Sequence, residues 1–197
     1  MFYNTYKKAV AIYSAFMPES KHDYEREAEM LRLLIECANN GYKDAGIAGK
    51  IFELAARPST SRLITVQRNS ARGQSVDVRF KVWDQTLMGE IKTCGGRVGG
   101  LYRLTPHQRD NTIVVYYATI EKTGRKNKPD FFDEVTVCMT AAEFLGVLEE
   151  TKGATHPVGH KGKNDTEPAI QMTLTVFNAF KKYDIGTFDR NNVSKYF

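Results

Sequence analysis

Residues 76–93, "VDVRFKVWDQTLMGEIKT", decide how the chain is read. Val76, Val78, Phe80 and Val82 alternate with Asp77, Arg79 and Lys81, the period-two pattern of a strand with one face in a core. Leu87, Gly89 and Ile91 alternate in the same way with Met88, Glu90 and Lys92. The four residues between the runs, "WDQT" (83–86), suit a hairpin. Setting Val82 opposite Leu87 aligns the apolar faces, and it brings Asp77 opposite Lys92 and Arg79 opposite Glu90. Cross-strand neighbours lie about 5 Å apart and diagonal ones about 7–8 Å, so Asp77, Glu90 and Lys92 are expected to converge on one polar patch. A slip of one residue would turn that patch into the core, so the register is expected to be well specified.

Two converging carboxylates repel unless something positive lies between them. Mg²⁺ takes one or two carboxylates while keeping water and substrate phosphate. A lysine beside such an ion can orient or deprotonate a water and offset charge on a phosphate. The plain alternative is a solvent-facing hairpin with an ordinary Asp–Lys pair. The segment that follows, "CGGRVGG" (94–100), sets four glycines around Arg97. Glycine allows close approach of a nucleic-acid backbone, although a mere connector would also have this composition. No Gly-Lys-Ser/Thr follows the glycines, so it is not a Walker loop.

Outward from the hairpin, helices precede and alternation follows. "KKAVAIYSAFMPES" (7–20) reads as an amphipathic helix rather than a signal peptide, because no small-x-small cleavage site is present. Ser20 with Asp23 suggests a capped helix running to about Ala38. Ile47, Ile51, Leu54 and Ala55 recur at helical spacing up to Pro58, with Lys50, Glu53 and Arg57 on the opposite face. "RLITVQR" (62–68) reads as extended. "TIVVYYATI" (112–120) is apolar on both faces, as an inner strand should be. "EVTVCM" (134–139) is a further strand, and Thr140 with Glu143 caps a helix to Glu150. Residues 124–129 and 153–168 read as loops. His156 and His160 lie in the second loop without cysteines or paired carboxylates to make a metal site.

The chain has 197 residues, 42% hydrophobic and 26% charged, a balance that suits one globular domain with its own core. Cys37, Cys94 and Cys138 are odd in number, far apart and without a CxxC spacing, which points to a reducing cytoplasm and away from zinc. Charge is unevenly distributed. Residues 57–109 hold ten Lys and Arg against three acids, whereas the segments before and after are nearly balanced. Eight of those ten are arginine, whose planar fork matches phosphate oxygens and guanine edges. A polyanion partner is expected, most simply nucleic acid. Arg57, Arg72, Arg97 and Arg103, with His107 and Gln108, are the candidate DNA contacts.

Asp77, twelve intervening residues and then Glu90-Ile91-Lys92 resemble the motif of the PD-(D/E)xK nuclease superfamily, which includes many type II restriction endonucleases. Val76 stands where the motif's name has proline. The resemblance covers about residues 47–120. It implies Asp77 and Glu90 as metal ligands and Lys92 as catalytic lysine, with Glu53, on the preceding helix, as a further acidic member. The resulting expectation is a single α/β nuclease domain over residues 1–197, with a central mixed sheet flanked by helices. Its parts would be a helical portion (about 1–56), a catalytic core (about 47–120) and a C-terminal elaboration (about 121–197). The expected activity is Mg²⁺-dependent cleavage of double-stranded DNA, with Mn²⁺ able to substitute, by a homodimer acting at a specific sequence. A Holliday-junction resolvase or phage-type nuclease would use the same core. A non-catalytic nucleic-acid-binding protein would need Asp77 and Lys92 only as a structural pair.

Overall fold

Tyr3–Ala15 (α1), Lys21–Asn39 (α2) and Ile47–Ala56 (α3) are helices in a computed structural model that describes residues 3–42, 46–62, 77–93, 98–122, 131–151, 155–157, 168–170 and 172–197. The expected strand at 62–68 lies almost wholly outside the described residues. The chain gathers into two units, one of Met1–Asp77 with Asp189–Asn192 and one of Val78–Phe188 with Val193–Phe197. The boundary at 77/78 falls inside the segment expected to form the catalytic core.

In the helical unit, the Ser20 side chain accepts the Asp23 amide at 3.3 Å and starts α2. Met30, Leu33, Leu34 and Cys37 of α2 pack with Ala9 and Phe16 and with Ile47, Ile51 and Leu54 of α3. Asp23 and Arg26, one turn apart on α2, are also fully buried. Burial of a charge is costly unless it is paired and hydrogen-bonded. Here Asp23 Oδ1 accepts from Arg26 at 3.4 Å and its Oδ2 from Arg190 at 3.1 Å. The Arg26 guanidinium also donates to the carbonyls of Arg57 (2.7 Å), Pro58 (2.8 Å) and Ser61, closing the C-terminal end of α3. Burial lowers the Arg26 pKa to about 10, against the pull of Asp23 and with help from Arg190 and Arg57. Arg190 stacks its guanidinium 4.5 Å over the Phe16 ring.

The second unit is built on a four-stranded mixed sheet with helices packed on it. Val78–Val82 (β1), Gln85–Thr93 (β2), Thr112–Lys122 (β3) and Phe131–Thr140 (β4) lie in the order β1-β2-β3-β4. The pairs are antiparallel, parallel and antiparallel in turn. The parallel pair needs a crossover, which Gly99–Tyr102 (α4) and Pro106–Asp110 (α5) supply. Strand β3 is an inner strand and its residues 112–116 are all buried, as its two apolar faces require. Tyr116 lies 5.2 Å from both Phe144 of α6 (Ala141–Glu150) and Phe180 of α7 (Leu174–Lys181). Val98, Leu101, Val114, Ala118, Val137 and Met139 are among the other members of this cluster. Thr140 and Glu143 form the expected capping box of α6.

Two expectations about the strands are corrected. The β1–β2 hairpin pairs Val82 with Gln85 and Phe80 with Leu87, so only Trp83 and Asp84 form the turn. Arg79 therefore faces Met88 rather than Glu90. The register differs by two residues from the expected one, which leaves both apolar faces unchanged. A two-residue turn matches the twist of its strands and adds the pairs Lys81–Thr86 and Val82–Gln85. The segment 153–168, expected as a loop, contributes Thr155–Pro157 (β5), which pairs antiparallel with Pro168–Ile170 (β6).

Candidate functional site

Glu90 and Lys92 alternate with buried Gly89 and Ile91, so both project from one face of β2. Their parallel neighbours on β3 are Val114 and Tyr116 respectively. Both neighbours are fully buried, whereas the Glu90 and Lys92 side chains keep 25% and 21% of their surface exposed. The two charges thus sit at the margin of an apolar cluster, where attraction is stronger than in bulk water. Lys92 Nζ donates to Glu90 Oε1. The sheet register accounts for this: residues two apart on a strand face the same side, and no residue on β3 opposite them offers a competing charge.

Glu90 supplies a partly buried carboxylate of the kind Mg²⁺ accepts, and Lys92 beside it supplies an ammonium. Among the described residues, no group of three or more His, Cys, Asp or Glu gathers as a metal cluster. Asp77 is half-buried and immediately precedes β1.

Glu53 and Arg57, both expected near the phosphate, belong to the helical unit and engage each other. Arg57 Nη2 donates to Glu53 Oε1 at 2.6 Å, and Arg57 is only 2% exposed. The polar face expected on α3 is thus divided: Lys50 is exposed and Arg57 is turned inward. A guanidinium so enclosed does not present its fork to a phosphate on the surface. Its burial was not legible locally, because part of what surrounds it comes from α2, where Arg26 donates to the Arg57 carbonyl at 2.7 Å.

Arg103, an expected DNA contact, follows α4 and is exposed. Gln108 closes a capping box with Thr105, its Oε1 accepting the Thr105 amide at 3.0 Å. His107 is exposed on the same turn, with Asn111 Nδ2 3.3 Å from its Nδ1. Arg109 ties α5 to α4 by donating to the Tyr102 carbonyl at 3.1 Å. Arg72 and Arg97 lie outside the described residues.

A second polar cluster escaped the sequence reading. Lys181 Nζ donates to Asp133 (3.1 Å), Asp184 (2.8 Å) and the Glu134 carbonyl (2.7 Å), fastening α7 to β4. Tyr117 donates to Glu134 at 2.9 Å, and burial followed by this carboxylate pushes the phenol well above its usual range. Lys181 and its partner Asp133 alone are 48 residues apart, so no local motif could announce the cluster.

Comparison with family models, with curated proteins and with solved structures gave no match. No helix among the described residues is long and apolar enough to cross a membrane.

Proposed function

We propose that the protein is a Mg²⁺-dependent DNA endonuclease, with Glu90, Lys92 and Asp77 as its reacting centre. The observation that carries this reading is the pairing of Glu90 and Lys92 on one partly open face of β2. The β1–β2 pairing sets Val78 opposite Gly89. The observed register does not continue to the Asp77–Lys92 opposition expected from sequence.

In this reading Asp77 and Glu90 would hold Mg²⁺, and Lys92 donates a hydrogen bond to a non-bridging phosphate oxygen or holds the attacking water. Bound Mg²⁺ would polarise the phosphodiester and offset its charge. Arg103, His107 and the arginines of 57–109 outside the helical core would position the DNA backbone. Sequence-specific cutting by a homodimer, as in type II restriction enzymes, is the favoured biology. A two-fold dimer would read a palindromic site.

The Glu90–Lys92 ion pair by itself also favours a second reading, a nucleic-acid-binding protein in which the pair only stabilises the strand. Plasmid incubated with Mg²⁺ separates the two. Discrete linear fragments whose ends share one sequence support the restriction enzyme. Cleavage of four-way junctions alone supports a resolvase, and binding without metal-dependent nicking supports the binder.

A further inference from the structure

We propose that Trp83, at the tip of the β1–β2 hairpin, is a stacking platform for an unpaired nucleobase. Arg79 and Lys81 on the exposed side of β1 would hold the flanking phosphates. The inference rests on the nucleic-acid reading above and adds to it a specific residue and a specific ligand, an unstacked base.

Trp83 is the chain's single tryptophan, and it is 63% exposed. It occupies a two-residue turn between Val82 and Gln85. Its φ is +50°, in the left-handed region where side chains other than glycine and asparagine are disfavoured. Hairpin formation would thus be served better by Asn or Gly at this position. The fold therefore gives no reason for an indole here.

The surroundings narrow the ligand. Lys81, Asp84, Gln85 and Thr86, its neighbours along the hairpin, are all exposed and polar. A protein partner would need about 800 Å² of complementary surface on each side. A single exposed ring instead matches a planar partner of its own size, and every nucleobase has such a face. Val78, Phe80 and Val82 are buried while Arg79 and Lys81 are exposed. The two cations therefore project from one side of β1 at about 7 Å intervals leading to the turn. The same charges also protect an edge strand from pairing, but that role asks nothing of Trp83.

Because Trp83 is the only indole, its emission reports on this one position. The test uses the full chain in EDTA at low salt, a fifteen-nucleotide oligothymidylate, and a duplex of the same length as comparison. Binding is followed by anisotropy of a dye on the DNA and, separately, by tryptophan emission with unlabelled DNA. The expected result is quenched emission on binding the single strand. Affinity should fall about five- to a hundredfold in Trp83→Asn, the range seen when an aromatic stacking partner is removed. Trp83→Phe should retain most of the affinity. Asn favours the turn, so the variant keeps the hairpin. Single-strand binding with unchanged emission and unchanged Trp83→Asn affinity would overturn the stacking role and leave the nucleic-acid reading standing. Binding to duplex alone would do the same. Failure to bind either DNA would overturn both.

Discussion

Phe80 covers Gly89: a methyl group at position 89 would stand 2.7 Å from Phe80 Cε2 and 2.6 Å from Val78 Cγ1. Phe80 is fully buried and lies edge-on to Phe188 at 5.9 Å, so its ring has little freedom to withdraw. Gly89→Ala is expected to cost about 1–3 kcal/mol by overpacking. Urea unfolding measures this, and a variant as stable as the parent would show that the hairpin does not hold this register.

Removing the candidate metal ligands or the lysine should separate chemistry from binding. Asp77→Ala, Glu90→Ala and Lys92→Ala are each expected to lower Mg²⁺-dependent cleavage about 10²–10⁴-fold while the protein stays folded. DNA affinity in Asp77→Ala and Glu90→Ala should hold or rise in EDTA, because a carboxylate facing phosphate repels it without its cation. Plasmid nicking and filter binding on the same preparations give both readouts. Full activity in both carboxylate variants would remove the assignment.

Loss of the buried carboxylate on α2 should be far more damaging to stability. Asp23→Ala leaves Arg26 and Arg190 facing each other in the core without their shared partner. Breaking such a network costs about 3–5 kcal/mol. Thermal unfolding should show a large drop in midpoint, and a change under 1 kcal/mol (about the worth of a surface pair) would contradict the network as described.

If DNA is the partner, affinity must fall with salt, with a log–log slope of about −0.9 per phosphate neutralised. Arg103→Ala should make that slope shallower by about one phosphate while leaving the melting temperature nearly unchanged, since Arg103 is exposed. Arg57→Ala should do the reverse, lowering stability first, because Arg57 is buried against Glu53. Titrations across a salt series with the two variants distinguish surface contact from internal support.

Alkaline stability should depend on Cys138. Burial, followed by the Glu143 carboxylate, pushes this thiol up to about 12 from its ordinary 9.0. The folded state therefore favours the neutral thiol. Its contribution is fully present below about pH 9 and is lost as pH rises toward 12. The parent should lose more stability between pH 9 and 11 than Cys138→Ala does. Parallel pH dependences in urea unfolding would argue against a buried, protonated thiol.

Alternation in residues 76–93 was enough to assign both faces of the hairpin, and the two-sided apolar run 112–120 was enough to place β3 inside a sheet. Caps at Ser20 and Thr140 announced α2 and α6 in the same local way. These signals are legible because strand period, helix period and capping depend on residues within a few positions of one another. Register was less accessible: shifts of two residues preserve every face, so the pattern that chose the faces could not choose between Val82–Leu87 and Val82–Gln85. The two-residue turn at Trp83 and the close approach of Phe80 to Gly89 made that choice.

The candidate site divides along the same line. Glu90 and Lys92 were legible as neighbours because two residues of one strand face share a side wherever the strand lies. Arg57 was legible only as a basic residue in a basic segment, and not as a buried one, paired with Glu53 and with its carbonyl held by Arg26, 31 positions away in sequence. The sequence alone thus determined which side chains share a face and where helices begin. Tertiary structure decided which charges are solvated and which are buried, because desolvation depends on everything packed around a group and not on its neighbours in the chain.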